Sequence, residues 1–241
     1  SKALWKPQYY VEVISDFGNI TGSGWYDNGS IVRIESSESE IYLGETKAVL
    51  TGFQIDYYSE KYNDYIENET SIEITVCSPI TVTAEWDVFH HVVVASNYVN
   101  PTIFDGWIKD GELLETSVEK EVLYGNSTKI VFKRWSGDID SENPHLKLVV
   151  NKPMKIIAEW TIYYLVKVAS DYDVEGGPTG WVRRGEQVFF NASPTIRIID
   201  KGIRVVFSGW DGSIISDNPS IEDKNLTSPL ILKTLWKKQY L

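Results

Sequence analysis

Cysteine and methionine are nearly absent from this chain, one of each in 241 residues. A single thiol, Cys77, excludes an internal disulfide framework and any zinc site built from several cysteines. Placed at the end of the alternating stretch 72–77, it reads as a small core residue rather than a reactive thiol. No apolar run approaches the roughly 20 residues that a membrane-spanning helix needs, so no membrane span is expected in this chain. The first residues carry no signal-peptide pattern, as expected of a mature chain or of a piece excised from a longer one. Positive charge is scarce: 23 Lys and Arg stand against 34 Asp and Glu, leaving a net charge of -11. That balance argues against nucleic acid or an anionic membrane surface as partner, because both demand basic patches.

Chemistry-bearing patterns are missing too. The three histidines are His90, His91 and His145. The adjacent pair falls on a strand and points to opposite faces, so it cannot jointly chelate a metal. There is no Gly-X-Ser-X-Gly elbow, no His-Glu-X-X-His helix and no phosphate-cradling glycine loop. Asp138, Asp140 and Glu142 alternate in a loop and form a candidate calcium set. The matching loop, 212–217, has lost that spacing, and a solvated acidic loop is the plainer reading. The sequence offers no cofactor site and no catalytic residue, and a non-enzymatic chain is expected.

What is present is aromatic and repetitive. The phrase Lys152-Pro153-Met154-Lys155-Ile156-Ile157-Ala158-Glu159-Trp160 is a turn proline followed by a strand that ends on tryptophan. It recurs at Pro79 to Ala84-Glu85-Trp86 and at Pro229 to Leu235-Trp236, with the Trp seven residues after the Pro each time. A second phrase, Gly-Trp-X-X-X-Gly, starts at Gly24, Gly106 and Gly180 and predicts a hairpin whose last glycine supplies a positive φ. A third, Phe-X-X-Trp-X-Gly, starts at Phe132 and Phe207, each followed by an Asn-Pro turn at Asn143 and Asn218. The first copy degrades it to Leu50-X-X-Phe53 and carries an aromatic, acidic insertion near 57–67 instead.

Spacing sets the domains. The strand-end tryptophans lie 74 and 76 residues apart, and the Gly-Trp tryptophans 82 and 74 apart, the excess matching the insertion. Three modules follow, at 1–86, 87–160 and 161–241, with no Pro- or Ser-rich linker between them. No stretch has helical periodicity with caps, so an all-β fold is expected. It would comprise three tandem small modules of β-sandwich or β-grasp-like type, each of five or six short strands, arranged as a rod. Period two places Ile156, Ala158 and Trp160 on one face and Val82, Ala84 and Trp86 on another, so the strand-end rings should be core. Trp25, Trp107 and Trp181 sit beside turns and are the candidate ligand platform.

Taken together, these phrases resemble the divergent internalin-B-type B-repeat, a module found in tandem on bacterial and archaeal surface proteins. The resemblance is closest in the second and third modules. It implies a compact β fold in a stalk or adhesive region, and it brings no shared catalytic residues.

Six Asn-X-Ser/Thr sequons, at Asn19, Asn28, Asn68, Asn126, Asn191 and Asn225, exceed the roughly two expected by chance from this composition. The excess points to an exported, N-glycosylated chain. Two functions of different class fit. One is a structural or adhesive segment of an extracellular, glycosylated cell-surface protein (S-layer, stalk or filament), whose partners would be other copies of itself, other surface-layer proteins or glycans. The other is an accessory, carbohydrate- or substrate-binding region of a secreted hydrolase such as an archaeal protease. Leu4-Trp5-Lys6-Pro7-Gln8-Tyr9 and Leu235-Trp236-Lys237-Lys238-Gln239-Tyr240 are nearly the same words. Trp5 therefore reads as the end of a missing strand and Tyr240 as the start of one. This fits a piece cut in phase from a longer array, or subunits joined by strand donation. Purified from its native host, the chain should exceed 27.4 kDa by several glycans in intact-mass spectrometry. An unmodified mass would remove the argument for export.

Overall fold

The computed structural model describes residues 5–58, 63–98 and 102–240. The first repeat holds β1 (Gln8–Ser15), β2 (Ile20–Thr21), β3 (Gly24–Asp27), β4 (Ser30–Ser36) and β5 (Glu40–Leu43). It continues with β6 (Thr46–Tyr57), β7 (Asn63–Glu67) and β8 (Ser71–Val76), and β9 (Ile80–Ser96) crosses into the second repeat. There follow β10 (Thr102–Lys109), β11 (Leu113–Ser117), β12 (Glu121–Tyr124), β13 (Thr128–Gly137) and β14 (His145–Val149), with β15 (Met154–Ala169) crossing into the third. The third holds β16 (Glu175–Gly177), β17 (Gly180–Arg183), β18 (Val188–Asn191), β19 (Ile196–Asp200), β20 (Ile203–Gly212), β21 (Ser220–Asp223) and β22 (Leu230–Tyr240). The fold is all-β with mixed sheets, and no helix occurs among the described residues. No helix is therefore long and apolar enough to cross a membrane.

Two compact units divide the chain. One comprises Ser1–Ala95, Thr102–Thr116 and Leu146–Ile156, the other Ser96–Pro101, Ser117–His145 and Ile157–Leu241. The middle sequence repeat therefore contributes to both.

In the first unit, β1 pairs antiparallel with β3 and parallel with β9, from Val11↔Ile80 to Ser15↔Ala84. On its other edge β9 pairs antiparallel with β6, and β6 carries β5 along its first half and β7 along its second. A second sheet, β2–β4–β8, closes over the first. Alternation fixes which side chains meet: Val32 and Ile34 of β4, Ile72, Ile74 and Val76 of β8, and Val11, Val82 and Ala84 of the first sheet are buried in one core. The same phase overturns the expectation for Cys77. It lies one residue past buried Val76, on the solvent parity, and is exposed. Of the insertion, residues 59–62 lie outside the described residues; 63–67 form β7, a hairpin arm on β6.

The second unit repeats the plan. Here β15 pairs antiparallel with β17 and parallel with β22, from Val166↔Leu230 to Ala169↔Lys233, and β22 pairs with β20, which carries β19. The cover sheet is β16–β18–β21, and Val166, Phe190, Phe207, Trp210, Leu226 and Leu232 share the core. Lys237 to Tyr240 extend β22 and pair along Val206 to Ile203, so Tyr240 continues an existing strand rather than opening a new one.

Each sequence phrase has a physical cause. In Phe207-X-X-Trp210, period two would send the rings to opposite faces. A register shift between Phe207 and Gly209, a β-bulge, turns both inward. The shift recurs between Leu50 and Gly52. The buried indoles donate their N–H groups to loop carbonyls: Trp135 to Asn143 at 2.9 Å and Trp210 to Pro219 at 3.2 Å. Phe53 has no N–H and needs no such carbonyl.

The Gly-Trp phrase is a corner, not a hairpin. Both β3 and β17 belong to the first-type sheet of their repeats, while β4 and β18 belong to the cover sheet. The turn glycines Gly29, Gly111 and Gly185 have φ of 82°, 80° and 88°. Their amides donate to the carbonyls of Val76, Val150 and Leu226, at 2.7, 2.8 and 2.9 Å. Each carbonyl belongs to a wholly buried residue. A repeat also has more strand segments than expected: the first holds β1 to β8 besides β9, which it shares with the second.

Strand-end tryptophans are core, as phase requires, and each is tied to a hydroxyl. Trp86 donates to Ser15 Oγ at 3.0 Å, Trp160 to Ser96 Oγ at 2.9 Å, and Trp236 to Thr234 Oγ1 at 3.0 Å, which donates on to Ser170 at 2.6 Å. Only Trp160 is buried; Trp86 and Trp236 are half-buried. Trp160→Ala should cost about 3–5 kcal/mol of unfolding free energy as a core deletion. Ser96→Ala, which leaves the indole N–H without its acceptor, should cost about 1–3 kcal/mol. Ser15→Ala should cost less, because water reaches Trp86. Denaturant melts of the three variants check the order.

Candidate functional site

Two features stand out on the surface: a set of cation–tryptophan stations and a polar groove. The stations come from a residue pattern that the sequence reading missed. Lys47-Ala48-Val49-Leu50, Lys129-Ile130-Val131-Phe132 and Arg204-Val205-Val206-Phe207 each place a cation three residues before a residue that lies against a strand-end tryptophan. Lys47 lies 5.3 Å from the Trp107 ring and 5.7 Å from those of Tyr42 and Phe89. Lys129 lies 5.1 Å from Trp181 and 5.7 Å from Tyr163. Each lysine also meets a carboxylate, Glu40 for Lys47 and Glu121 at 3.2 Å for Lys129. The hydrogen bond to Glu40 raises the Lys47 pKa against a smaller opposing effect of desolvation.

These contacts decide what the candidate platform can do. Trp107 is half-buried between Lys47, Tyr42 (5.8 Å, edge-on) and His91 (5.2 Å), so its ring is committed to the protein. Trp181 is covered on one side by Lys129 and is 37% exposed. Trp25 is 67% exposed and meets only Tyr10 among ring contacts of the described residues, at 5.4 Å. Of the three, Trp25 alone presents a large open face.

The groove lies in the second unit and encloses about 560 Å³. Tyr98, Lys133, Glu159, Arg183, Arg184 and Asn225 are among the residues that line it. Glu159 is committed to Arg134 at 3.0 Å and meets Lys133 at 3.5 Å. Hydrogen bonding from Arg134, then from Ser136, lowers the Glu159 pKa to about 2. Three cations, with amides and hydroxyls around one neutralised carboxylate, suit an anionic or hydroxyl-rich group.

The remaining candidates disperse. Among the described residues no group of three or more His, Cys, Asp or Glu is placed to hold a metal, and Asp140 of the acidic loop reaches Arg134 at 3.4 Å. His90 and His91 pair with Asp110 and Asp105, at 3.0 and 2.7 Å. Five sequon asparagines, Asn19, Asn28, Asn68, Asn126 and Asn225, are exposed. Asn191 is half-buried in β18 and accepts from Ser220 at 3.1 Å, which makes it the poorest acceptor for a glycan. No protein family, no curated protein and no solved structure matches this chain.

The Glu159 pair has a pH signature. Folding lowers this carboxyl from 4.5 to about 2, so its stabilisation is present above pH 4.5 and disappears as the pH falls toward 2. Glu159→Gln should lower Tm at neutral pH and converge with the parent at pH 2. A constant Tm difference across that window would mean that the carboxylate charge is not what matters.

Proposed function

We propose that the chain is a non-catalytic structural or adhesive segment of an extracellular, glycosylated cell-surface protein, part of an S-layer, stalk or filament. On this reading the repeats 1–86, 87–160 and 161–241 are tandem β modules set in a rod and akin to internalin-B-type B-repeats. The observation that carries it is the pairing of entry and exit strands. In the first repeat β1 enters and β9 leaves side by side and parallel; in the third, β15 and β22 do the same. Tension on a chain that enters by one parallel strand and leaves by its neighbour slides the two past each other. All the hydrogen bonds between them then resist together, instead of opening one by one as in a hairpin peeled from its end. The 17-residue β9 and the 16-residue β15 also pass from repeat to repeat without a slack linker. Five exposed sequons fit an exported surface.

Pulled by its termini in single-molecule force spectroscopy, the chain should unfold in discrete high-force steps. Pulled from β6 and β7, which meet as a hairpin, it should peel at far lower force. Equal forces in the two geometries would remove the load-bearing reading, and a robust hydrolase activity lost with one side chain would remove the non-catalytic one.

The groove favours a second reading, an accessory carbohydrate- or substrate-binding region of a secreted hydrolase such as an archaeal protease. Arg183→Ala with Arg184→Ala should abolish binding to acidic glycans on an array under that reading. It should change nothing under the first.

A further inference from the structure

Two junctions between repeats match residue by residue, one inside each compact unit. At the first, Lys109 of β10 lies opposite Phe89, and the Asp110 amide donates to the Val88 carbonyl. At the second, Arg183 of β17 lies opposite Tyr163, and the Arg184 amide donates to the Ile162 carbonyl. Lys109 therefore answers to Arg183, Asp110 to Arg184 and Val149 to Asn225. On the facing side Thr51, Glu85 and Asp87 answer to Lys133, Glu159 and Thr161.

The charge at these positions changes sign. The first junction holds one cation and three carboxylates, and its charges find partners: Lys109 meets Asp87 at 2.7 Å and Asp110 meets His90 at 3.0 Å. The second holds three cations and one carboxylate. Arg183 has lost its acid, because Thr161 stands where Asp87 does, and Arg184 replaces an acid outright. Among the described residues neither arginine is in an ion pair, and Glu159 is held by Arg134 at 3.0 Å. Both arginines and Lys133 line the groove of about 560 Å³, a volume within the span of ligand sites, about 300–1,000 Å³. Unpaired cations gathered in one groove of a chain with net charge -11 call for an anionic occupant.

A second difference coincides with this reversal. Asn225-Leu226-Thr227 is a sequon, whereas the first junction has Val149-Val150-Asn151. Asn225 and Thr227 both line the groove, and Asn225 Oδ1 lies beside Gly185, 3.6 Å from the place a Cβ there would take. The Asn225 side chain is exposed and makes no hydrogen bond among the described residues. Its neighbour Leu226 is fixed at both main-chain groups, by Glu186 at 3.1 Å and Gly185 at 2.9 Å. A glycan on Asn225 therefore starts from a fixed point on the groove wall.

We propose that the N-linked glycan of Asn225 turns back into this groove and lays an acidic sugar, a uronic acid or a sulfated hexose, against Arg183, Arg184 and Lys133. Guanidinium forks match a carboxylate or sulfate, and Asn97, Thr161 and Thr227 supply amide and hydroxyl partners for the sugar hydroxyls. The tether holds the sugar at an effective concentration of about millimolar, so a few such contacts keep it seated. Attachment joins Asn225 Nδ2 to the anomeric carbon of the first sugar. The phosphate of the glycosyl donor leaves with the bonding electron pair, and the amide gives up one proton to the transferring enzyme. The proposal rests on the exported, glycosylated reading above, and it assigns the groove to the chain's own glycan instead of to a foreign ligand.

The test uses the chain purified from its native host. Glycopeptide mass spectrometry should find Asn225 occupied by a glycan that contains a uronic acid or a sulfate. Arg183→Ala with Arg184→Ala should then lower the Tm of the glycosylated chain by about 2–4 °C. The same pair of substitutions should not lower it in an Asn225→Gln background, nor in chain made in a bacterium that adds no glycan. Both arginines are exposed, so the variants should fold. An unmodified Asn225, a neutral glycan there, or an equal Tm loss in all three backgrounds overturns the proposal. So does binding of free acidic glycans through Arg183 and Arg184 by chain whose Asn225 is fully occupied. Glycans on other sequons with Asn225 bare would leave the exported reading standing, whereas a chain with no glycan at all would remove both.

Discussion

An indole set against the core of a small sheet pair brings a donor with it, and that donor must be satisfied or the burial is lost. In the first two repeats the acceptor is a serine at the end of the strand that enters the repeat, Ser15 or Ser96; in the third it is Thr234, which donates on to the corresponding Ser170. This hydrogen bond fastens the last strand of a repeat to its first, which in the first and third repeats are parallel neighbours. Parallel neighbours cannot be joined by a tight turn, so the whole intervening chain must fold before they meet. The Trp–Ser bond in the first two repeats, and the Trp236–Thr234–Ser170 chain in the third, thus fasten the closing strand to the entering one. Phe132 and Phe207 stand edge-on to the strand-end ring, at 5.7 and 5.5 Å. Phe17 and Tyr172 approach Trp86 and Trp236 from the serine side, at 6.0 and 4.9 Å.

Much of this was legible in the sequence because rings and glycines are punctuation with mechanical causes. The strand phase placed Ile156, Ala158 and Trp160 inside, and the positive φ at Gly29, Gly111 and Gly185 followed from the turn. Partnership was not legible. A Gly-Trp turn reads alike whether it returns the chain to the same sheet or turns it into a facing one, since the local dihedrals are similar. Only the amide bond to Val76, Val150 or Leu226, distant in sequence, makes it a corner. Cys77 was misplaced by extending the strand one residue past Val76. The serine signal was present and overlooked: Ser15-Asp16-Phe17, Ser96-Asn97-Tyr98 and Ser170-Asp171-Tyr172 are one phrase. The lysine stations were equally available, but a surface lysine has no periodicity to betray it. Its role appears only when a ring from another strand lies over it.

Departures among the repeats are compensated on the spot. Thr234 replaces Ala84 and Ala158; its hydroxyl would be buried without a partner, and it takes the place between Trp236 and Ser170. Phe53 replaces Trp135 and Trp210 in the one repeat that lacks the Asn-Pro loop whose carbonyls receive those indoles. At Ile196, in place of Glu40 and Glu121, an apolar side chain is left exposed. A buried polar group carries a penalty that selection must answer locally, whereas an exposed apolar group can be answered by another molecule.

The physical unit of this chain is therefore offset from its sequence period. In the first unit β6 spans the boundary between repeats: Leu50 and the residues after it lie against the last strand of their own repeat, up to Trp86. Thr46 to Val49 lie against Asp87 to His90, which belong to the next. The same strand in the third repeat, β20, uses its first four residues to bind Lys237–Tyr240, the stretch in phase with Asp87 to His90. The strand that closes a repeat runs on past its tryptophan, and both stretches pair with the same neighbouring strand. Lys47 and Lys129 mark that junction because the crossing strand brings the aromatic side chains of two successive repeats around one cation. A β module that ends on a shared strand has continuity built into its hydrogen bonding.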